Sequence, residues 1–290
     1  MKISGNINLP GDKSISHRAL MFASLTDGEC IINNISTGED VETTRKCLGQ
    51  CGILSQKLGN KVQITGGTFS TPKLPLDCGN SGTSIRLLAG LLSGKGITAE
   101  FIGDTSLSKR PMNRIIEPLN EMGVEIGSNN GYLPLTIKPN MMKGFSFSPS
   151  VASAQVKSCI MLAGLGGEGE TIINEKIKTR DHSEIILKEL GAPVSSNGAI
   201  RIKNLEQPLQ PFNMAVPGDP SSAAFFAAAA AIIPNSSITI TNVLANPTRV
   251  GFFDILEKMG GGVEWKNIHK ECGELAGDVH VYFAPLNGID

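Results

Sequence analysis

Apolar and polar positions follow a pattern along this chain that returns four times. In each return a helix-like segment opens on small polar residues and continues apolar: Ser14 to Leu25, Ser81 to Leu92, Ser153 to Leu165 and Ser221 to Ile233. A short strand follows (Cys30-Ile31-Ile32, Thr98 to Ile102, Thr171-Ile172-Ile173, Ile238 to Ile240), then a polar turn carrying Arg45, Arg110, Arg180 or Arg249. A second helix closes each unit on Gly52, Gly123, Gly191 or Gly260, which stand 71, 68 and 69 residues apart. Glycine just past the last helical turn suits the left-handed conformation that ends a helix, and β-like residues such as Val124-Glu125-Ile126 come next. The period predicts an α/β fold made of one unit, roughly β-α-β-α-β-β, repeated four times. Ser, Thr and Asn at the helix starts are placed to cap backbone amides that lack an intrahelical partner.

Composition narrows what such a fold does. With 290 residues, 40% of them apolar, the chain can bury one large or two moderate cores. Its 26 basic and 27 acidic residues leave a net charge of −1, so no global field draws it to nucleic acid or to an anionic membrane, and any anion site must be local. Met1-Lys2-Ile3-Ser4-Gly5-Asn6 has neither a signal-peptide core nor an Arg-rich transit pattern, which sets a cytoplasmic expectation. The longest charge-free apolar run, Ala223 to Ile233, is shorter than the about 20 residues a bilayer needs and is expected as a buried helix. Most of the six scattered cysteines, without a C-x-x-C pair or a His at zinc-finger spacing, are expected to be small buried hydrophobes rather than metal or redox groups.

The densest chemistry is Leu9-Pro10-Gly11-Asp12-Lys13-Ser14-Ile15-Ser16-His17-Arg18-Ala19-Leu20. Two cations, hydroxyls and a glycine meet where a loop enters a helix, and free amides with the positive dipole end favour a phosphate there. Solvated surface charges are the plainer reading of Lys13 and Arg18. A nucleotide P-loop fails on spacing, because Asp12 separates Gly11 from Lys13. Cys78-Gly79-Asn80-Ser81-Gly82-Thr83-Ser84-Ile85-Arg86 repeats the logic at the second helix, where a structural turn is the alternative. Lys109-Arg110-Pro111 places an arginine suited to carboxylate or phosphate. Ser153-Ala154-Gln155 opens a third helix, and Thr179-Arg180-Asp181-His182 fills the turn that Arg110 fills one unit earlier. His17 and His182 are read as structural rather than acid/base groups. Together the pattern suits two anionic small substrates.

Pro10 to Ala19, Gly79 to Arg86, Lys109-Arg110-Pro111-Met112, Ser153-Ala154-Gln155, Val216 to Ala223 and Asn246-Pro247-Thr248-Arg249 resemble successive signatures of the 5-enolpyruvylshikimate-3-phosphate synthases, a likeness running from Met1 to Asp290. The resemblance implies the enolpyruvyl transferase fold, with six βαβαββ units in two three-unit domains and both substrates in the cleft between them, and a reaction that needs no metal or organic cofactor. Four of the six are expected here: residues 13–216 as a complete domain, and 1–12 with 217–290 as part of a second, its unit docked to the N-terminal strand. By the same resemblance Lys13 is the catalytic candidate and contacts both shikimate 3-phosphate and phosphoenolpyruvate. Ser14, Arg18, Ser153, Ala154, Gln155 and Arg180 would hold shikimate 3-phosphate. Gly82, Arg110 and Gln155 would hold phosphoenolpyruvate, in a pocket shaped by Asn80, Thr83 and Arg86. The family's further catalytic groups are expected beyond residue 290, so the chain is expected to be catalytically incomplete, with a separate C-terminal piece as a partner and a monomeric full-length enzyme. A UDP-N-acetylglucosamine enolpyruvyl transferase and a non-catalytic fragment binding shikimate 3-phosphate are the alternatives. The first usually carries Asn where Ser14 stands.

Overall fold

A strand that alternates apolar with polar residues can bury one face, and a helix with an apolar stripe can cover it. The computed structural model, which describes residues 2–289 and leaves Met1 and Asp290 outside the described residues, builds this pairing four times over. The first stretch runs β1 (Ser4–Asn8), α1 (Lys13–Ala23), β2 (Glu29–Asn33), α2 (Glu39–Gln50), β3 (Leu54–Leu58) and β4 (Lys61–Thr65). The second is β5 (Leu76–Asp77), α3 (Gly82–Gly94), β6 (Ala99–Ile102), α4 (Asn113–Glu121), β7 (Val124–Asn129) and β8 (Tyr132–Pro139), with a 3-10 turn at Leu107–Lys109. The third is β9 (Ser146–Phe147), α5 (Ala154–Gly164), β10 (Glu170–Ile173), α6 (His182–Glu189), β11 (Val194–Ser195) and β12 (Ile200–Lys203). The fourth is β13 (Asn213–Ala215), α7 (Pro220–Ile232), β14 (Ser237–Leu244), α8 (Gly251–Lys258), β15 (Gly262–Glu271) and β16 (Glu274–Tyr282).

Each sheet has four strands, but two of them exchange their leading strand. The second and third sheets, β5-β6-β8-β7 and β11-β12-β10-β9, take all strands from one stretch of chain. The first is β13-β2-β4-β3, so its leading strand arrives from more than 140 residues later than β4, with Asn213 beside Ile31 and Ala215 beside Asn33. The fourth is β1-β14-β16-β15, with Ser4 beside Ser237 and Asn8 beside Thr241 in parallel register.

Local chemistry accounts for the element ends. Gly52, Gly123, Gly191 and Gly260 follow their helices at φ +93°, +100°, +78° and +88°, the left-handed region that a side chain would strain. Ser81 and Ser153 cap α3 and α5, accepting from the amides of Ser84 and Val156. In α1 and α7 the capping acceptors are Asp12 and Asp219 instead. The turn expected around Arg45 is not there: Arg45 lies inside α2 and pairs with Glu42 at 2.6 Å. Glu39, Asp40 and Glu42 favour a helix N-terminus electrostatically, so the helix begins well before the arginine.

Two apolar clusters result. The larger is built mainly by the first three stretches, with Phe22, Leu88 and Ile160, and takes in Met214 from β13. At its centre α3 and α5 approach closely; a Cβ on Gly90 would stand 2.7 Å from the carbonyl carbon of Cys159. The smaller joins Leu9, Ala223, Ala227, Val279 and Phe253, whose ring meets Trp265 edge-on at 5.4 Å. Here the expectation of a buried apolar helix needs correction. Helix α7 buries Ala223, Ala227, Ala230 and Ala231, while Phe225 (80% exposed), Phe226 and Ile232 face outward. It is apolar all round, and only one side meets a sheet.

Candidate active site

The starts of α1, α2, α3 and α5 are linked by side chains. Lys13, at the first position of α1 and half-exposed, places Nζ 3.1 Å from Asp40 Oδ2 near the start of α2. The Asp40 carbonyl accepts from Ser84 Oγ in α3 at 3.1 Å. Thr83, beside Ser84, accepts from Gln155 Nε2 in α5 at 2.9 Å. Free amides from helices of three different units therefore lie near one another, which concentrates partial positive charge.

Ser14 is half-buried next to Lys13, and its carbonyl accepts from Arg18 Nη1 at 3.0 Å. Arg18 is buried; Nε donates to Ser183 Oγ at 2.8 Å and Nη2 to Ser158 Oγ at 2.7 Å. Three of its five N–H groups are thus engaged within the protein. Burial lowers its pKa to about 10 against the raising effect of Glu184, Asp12 and Glu274, so it stays cationic at neutral pH. Beside it His17 is wholly buried, its Nδ1 2.8 Å from Thr44 Oγ1. Burial first, then Arg18 and Lys13, push its pKa down to about 3, which fits the structural reading of this histidine.

A second group of residues surrounds the start of α3. Gly82 is the first residue of the helix, and a Cβ there would meet Arg86 Nη1 at 2.7 Å and Arg110 Nη1 at 3.3 Å. Arg86 Nη1 donates to Gln155 Oε1 at 2.8 Å and to the Gly82 carbonyl at 3.2 Å. Burial, then Arg110 and Arg114, lower the Arg86 pKa. Arg110 Nη2 donates to Asn80 Oδ1, whose own amide donates to Asp104 Oδ2 at 2.7 Å. Two guanidinium groups therefore converge on one glycine, and among the described residues neither is salt-bridged to a carboxylate, an arrangement suited to an anion.

Ser153, Ala154, Gln155 and Arg180 line one open depression of about 510 Å³, together with Thr179 and Thr248. Desolvation first, then Arg249, lower the Arg180 pKa. Beneath this surface lies a buried ionic cluster that sequence reading did not single out. Lys157, 1% exposed, pairs with Glu184 at 2.7 Å and Glu175 at 3.0 Å. Glu175 also accepts from Thr179 Oγ1 at 2.6 Å, which ties the segment before Arg180 to α5. The one sequence signal was a lysine inside the otherwise uncharged run Val156 to Leu165. His182 is buried with Nδ1 2.7 Å from Glu274 Oε1, again a structural placement. Among the described residues no group of His, Cys, Asp and Glu is arranged to hold a metal ion, and no helix is long and apolar enough to cross a membrane.

Residues 1–280 match the family described as EPSP synthase (3-phosphoshikimate 1-carboxyvinyltransferase). The chain belongs to the EPSP synthase family. A 3-phosphoshikimate 1-carboxyvinyltransferase of Leuconostoc citreum is 47% identical over 99% of this chain and 68% of its own length. One of Ruthia magnifica is 46% identical over 99% of this chain and 67% of its own. The solved EPSP synthase of Acinetobacter baumannii superposes with a TM-score of 0.93 at 38% identity, covering 99% of this chain and 66% of that one. The chain therefore spans about two thirds of the length of these relatives. Its fold is that of the EPSP synthases, and the UDP-sugar alternative finds no support in these matches.

Proposed function

We propose that this chain takes part in transferring the enolpyruvyl group of phosphoenolpyruvate to the 5-hydroxyl of shikimate 3-phosphate, within the biosynthesis of aromatic amino acids. The observation that carries the reading is the meeting of helix starts from three units beside Lys13, Arg86, Arg110 and Arg180, in a member of the EPSP synthase family. Shikimate 3-phosphate is assigned to Lys13, Ser14, Arg18, Ser153, Ala154, Gln155 and Arg180. Phosphoenolpyruvate is assigned to Lys13, Gly82, Arg110 and Gln155, with Asn80, Thr83 and Arg86 shaping its pocket. Gln155 stands where the two assignments meet, hydrogen-bonded to both Thr83 and Arg86.

The chemistry asks for charge stabilisation and proton transfer. The 5-hydroxyl gives up its proton as its oxygen bonds to the enol carbon, while the carbon–carbon double bond opens and the neighbouring methylene carbon takes a proton. Phosphate then leaves as the carbon–oxygen bond to it breaks and a proton is lost from the new methyl group. Cations at Lys13 and Arg110 stabilise the anionic substrates and the departing phosphate. Two domains are part of the proposal, residues 13–216 around the larger apolar cluster and 1–12 with 217–290 around the smaller. All six cysteines are free, which suits a reducing cytoplasm.

The test is calorimetric titration of the 290-residue chain with shikimate 3-phosphate. Phosphate release is then followed with both substrates, with and without a piece supplying the remaining third of a relative. Saturable binding, weakened about tenfold by Lys13→Met, is expected. Absence of binding by the wild-type chain, or absence of phosphate release in both arms, would overturn the assignment.

A further inference from the structure

Two short segments carry the chain between the apolar clusters, one joining β1 to α1 and the other β13 to α7. Both read Pro-Gly-Asp, at Pro10-Gly11-Asp12 and Pro217-Gly218-Asp219. They run side by side in reciprocal fashion. Gly11 and Gly218 form an antiparallel bridge; the Asp12 amide donates to the Pro217 carbonyl at 2.7 Å, and the Asp219 amide to the Pro10 carbonyl at 3.2 Å. Each aspartate then caps the helix it precedes, Asp12 Oδ1 accepting from the Ile15 amide at 2.9 Å and Asp219 Oδ1 from the Ser221 amide at 2.8 Å.

Arg249 reaches into this double crossing from the loop after β14, with its side chain 5% exposed. Nη1 donates to Asp12 Oδ2 at 2.6 Å, and Nη2 donates to Asp219 Oδ1 and to Ser221 Oγ, both at 3.1 Å. The loop is braced from within, because Asn246 Oδ1 accepts from the Thr248 amide and hydroxyl at 2.8 and 2.7 Å. It is also braced from outside: Asn246 Nδ2 donates to Asp181 Oδ1 and to Glu274 Oε2, both at 2.9 Å. One loop of the fourth stretch thereby holds the starts of α1, α6 and α7.

We infer that Arg249 is a positioning residue for the phosphate-bearing substrate, fixing the first turn of α1, and so Lys13 and Ser14, against Arg180 and the start of α5. The inference rests on the assignment of Lys13, Ser14 and Arg180 to shikimate 3-phosphate. Its basis is the division of labour at Asp12, which is fully buried. One carboxylate oxygen holds the helix and the other holds Arg249, so displacement of the guanidinium passes directly to α1. A planar fork can span two carboxylates, whereas a single ammonium holds them less specifically. The competing account is plain charge neutralisation of two aspartates beside an anion site. On that account any variant of equal net charge would serve.

Calorimetric titration of the 290-residue chain with shikimate 3-phosphate, well below the measured Tm, separates the two. The proteins are wild type, Arg249→Lys, Arg249→Gln, and Asp12→Asn combined with Arg249→Gln. The double variant removes one charge of each sign, and asparagine still caps a helix well, so what it lacks is the tie. Affinity is expected to fall about tenfold or more in Arg249→Gln, the scale on which misplacement of a binding group acts. The double variant should be no better, and Arg249→Lys should lie between. Affinity within about twofold of wild type in Arg249→Gln, or recovery in the double variant, would overturn the inference. Should Arg249→Gln not fold, Arg249→Lys decides: weaker binding at unchanged Tm supports the tie, and unchanged binding removes it. A wild-type chain that fails to bind would remove the functional reading and this inference together. Binding by wild type with Arg249→Gln unaffected removes this inference alone.

Discussion

Gly82→Ala adds a single methyl group where two arginines converge. Its carbon would lie 2.7 Å from Arg86 Nη1 and 3.3 Å from Arg110 Nη1. An ordinary contact is about 3.5 Å, so Arg86 must retreat by about 0.8 Å and Arg110 by about 0.2 Å. Both obstacles are tips of flexible side chains, and alanine is a better helix former than glycine, so stability should stay within about 0.5 kcal/mol of wild type. The cost falls on the site. Arg86 Nη1 gives up its 3.2 Å bond to the Gly82 carbonyl and stretches the 2.8 Å bond that fixes Gln155. A hydrogen bond to a charged group is worth about 1.5–3 kcal/mol, which corresponds to a loss of about 10- to 100-fold in phosphoenolpyruvate affinity. The assay is titration of phosphoenolpyruvate into protein preloaded with shikimate 3-phosphate, with Tm measured alongside. Unchanged affinity at unchanged Tm would refute the reasoning and leave Gly82 a turn residue only.

Lys13→Met should weaken shikimate 3-phosphate binding by about tenfold while Lys2→Met does not, because only Lys13 stands at a capped helix entrance; equal effects in calorimetry would contradict the site. Lys13 pairs with Asp40 at a half-exposed position, so its loss should cost less than about 1 kcal/mol of stability. His17 gives a pH dependence of definite sign. Its pKa is about 3 in the folded chain and 6.5 without burial, so the unfolded chain holds more protons between these values and stability falls on acidification. The loss from this one group is about 2 kcal/mol between pH 7 and pH 5, read by urea unfolding, and a His17→Gln variant with the same acid slope would speak against it. Gly90→Ala should destabilise by about 1–3 kcal/mol despite its better helix propensity, because the neighbour it meets is the backbone of α5; an unchanged Tm would mean the two helices can part freely.

Much of the architecture could be read from local sequence because its demands are local. The closing glycines could be placed because a left-handed residue after a helix admits few alternatives, and all four have positive φ. Ser81 and Ser153 announced their helices for a similar reason. Asp12 and Asp219 did not, since an aspartate before a helix reads equally well as a cap, a ligand or a surface charge. Arg45 was misplaced because three acidic residues upstream extend α2 past the point where its neighbours in the period begin. Lys157, Glu175 and Glu184 illustrate the harder limit. Burial of a charge is decided by what packs over it, and those contacts come from elements up to 27 residues away. Candidate site residues close to helix starts were legible, whereas the second layer that braces them, Ser158, Ser183 and the lysine cluster, was not.

The exchanged leading strands also set an order of events during synthesis. Of the described strands β1 is made before the others, yet its partner β14 begins at Ser237, so its backbone groups on that side have no sheet to join until more than 220 further residues have been made. The first sheet likewise waits for Asn213–Ala215 before its open edge beside β2 is covered. Contacts of such long sequence separation must overcome loop-closure entropy before they return any stability, which slows folding. In the interval an unpaired strand and a bare sheet edge coexist on one nascent chain, a combination prone to wrong pairing between neighbouring molecules. The middle two sheets carry no such delay. They can fold as they emerge, and so offer the template on which the first and fourth are completed last.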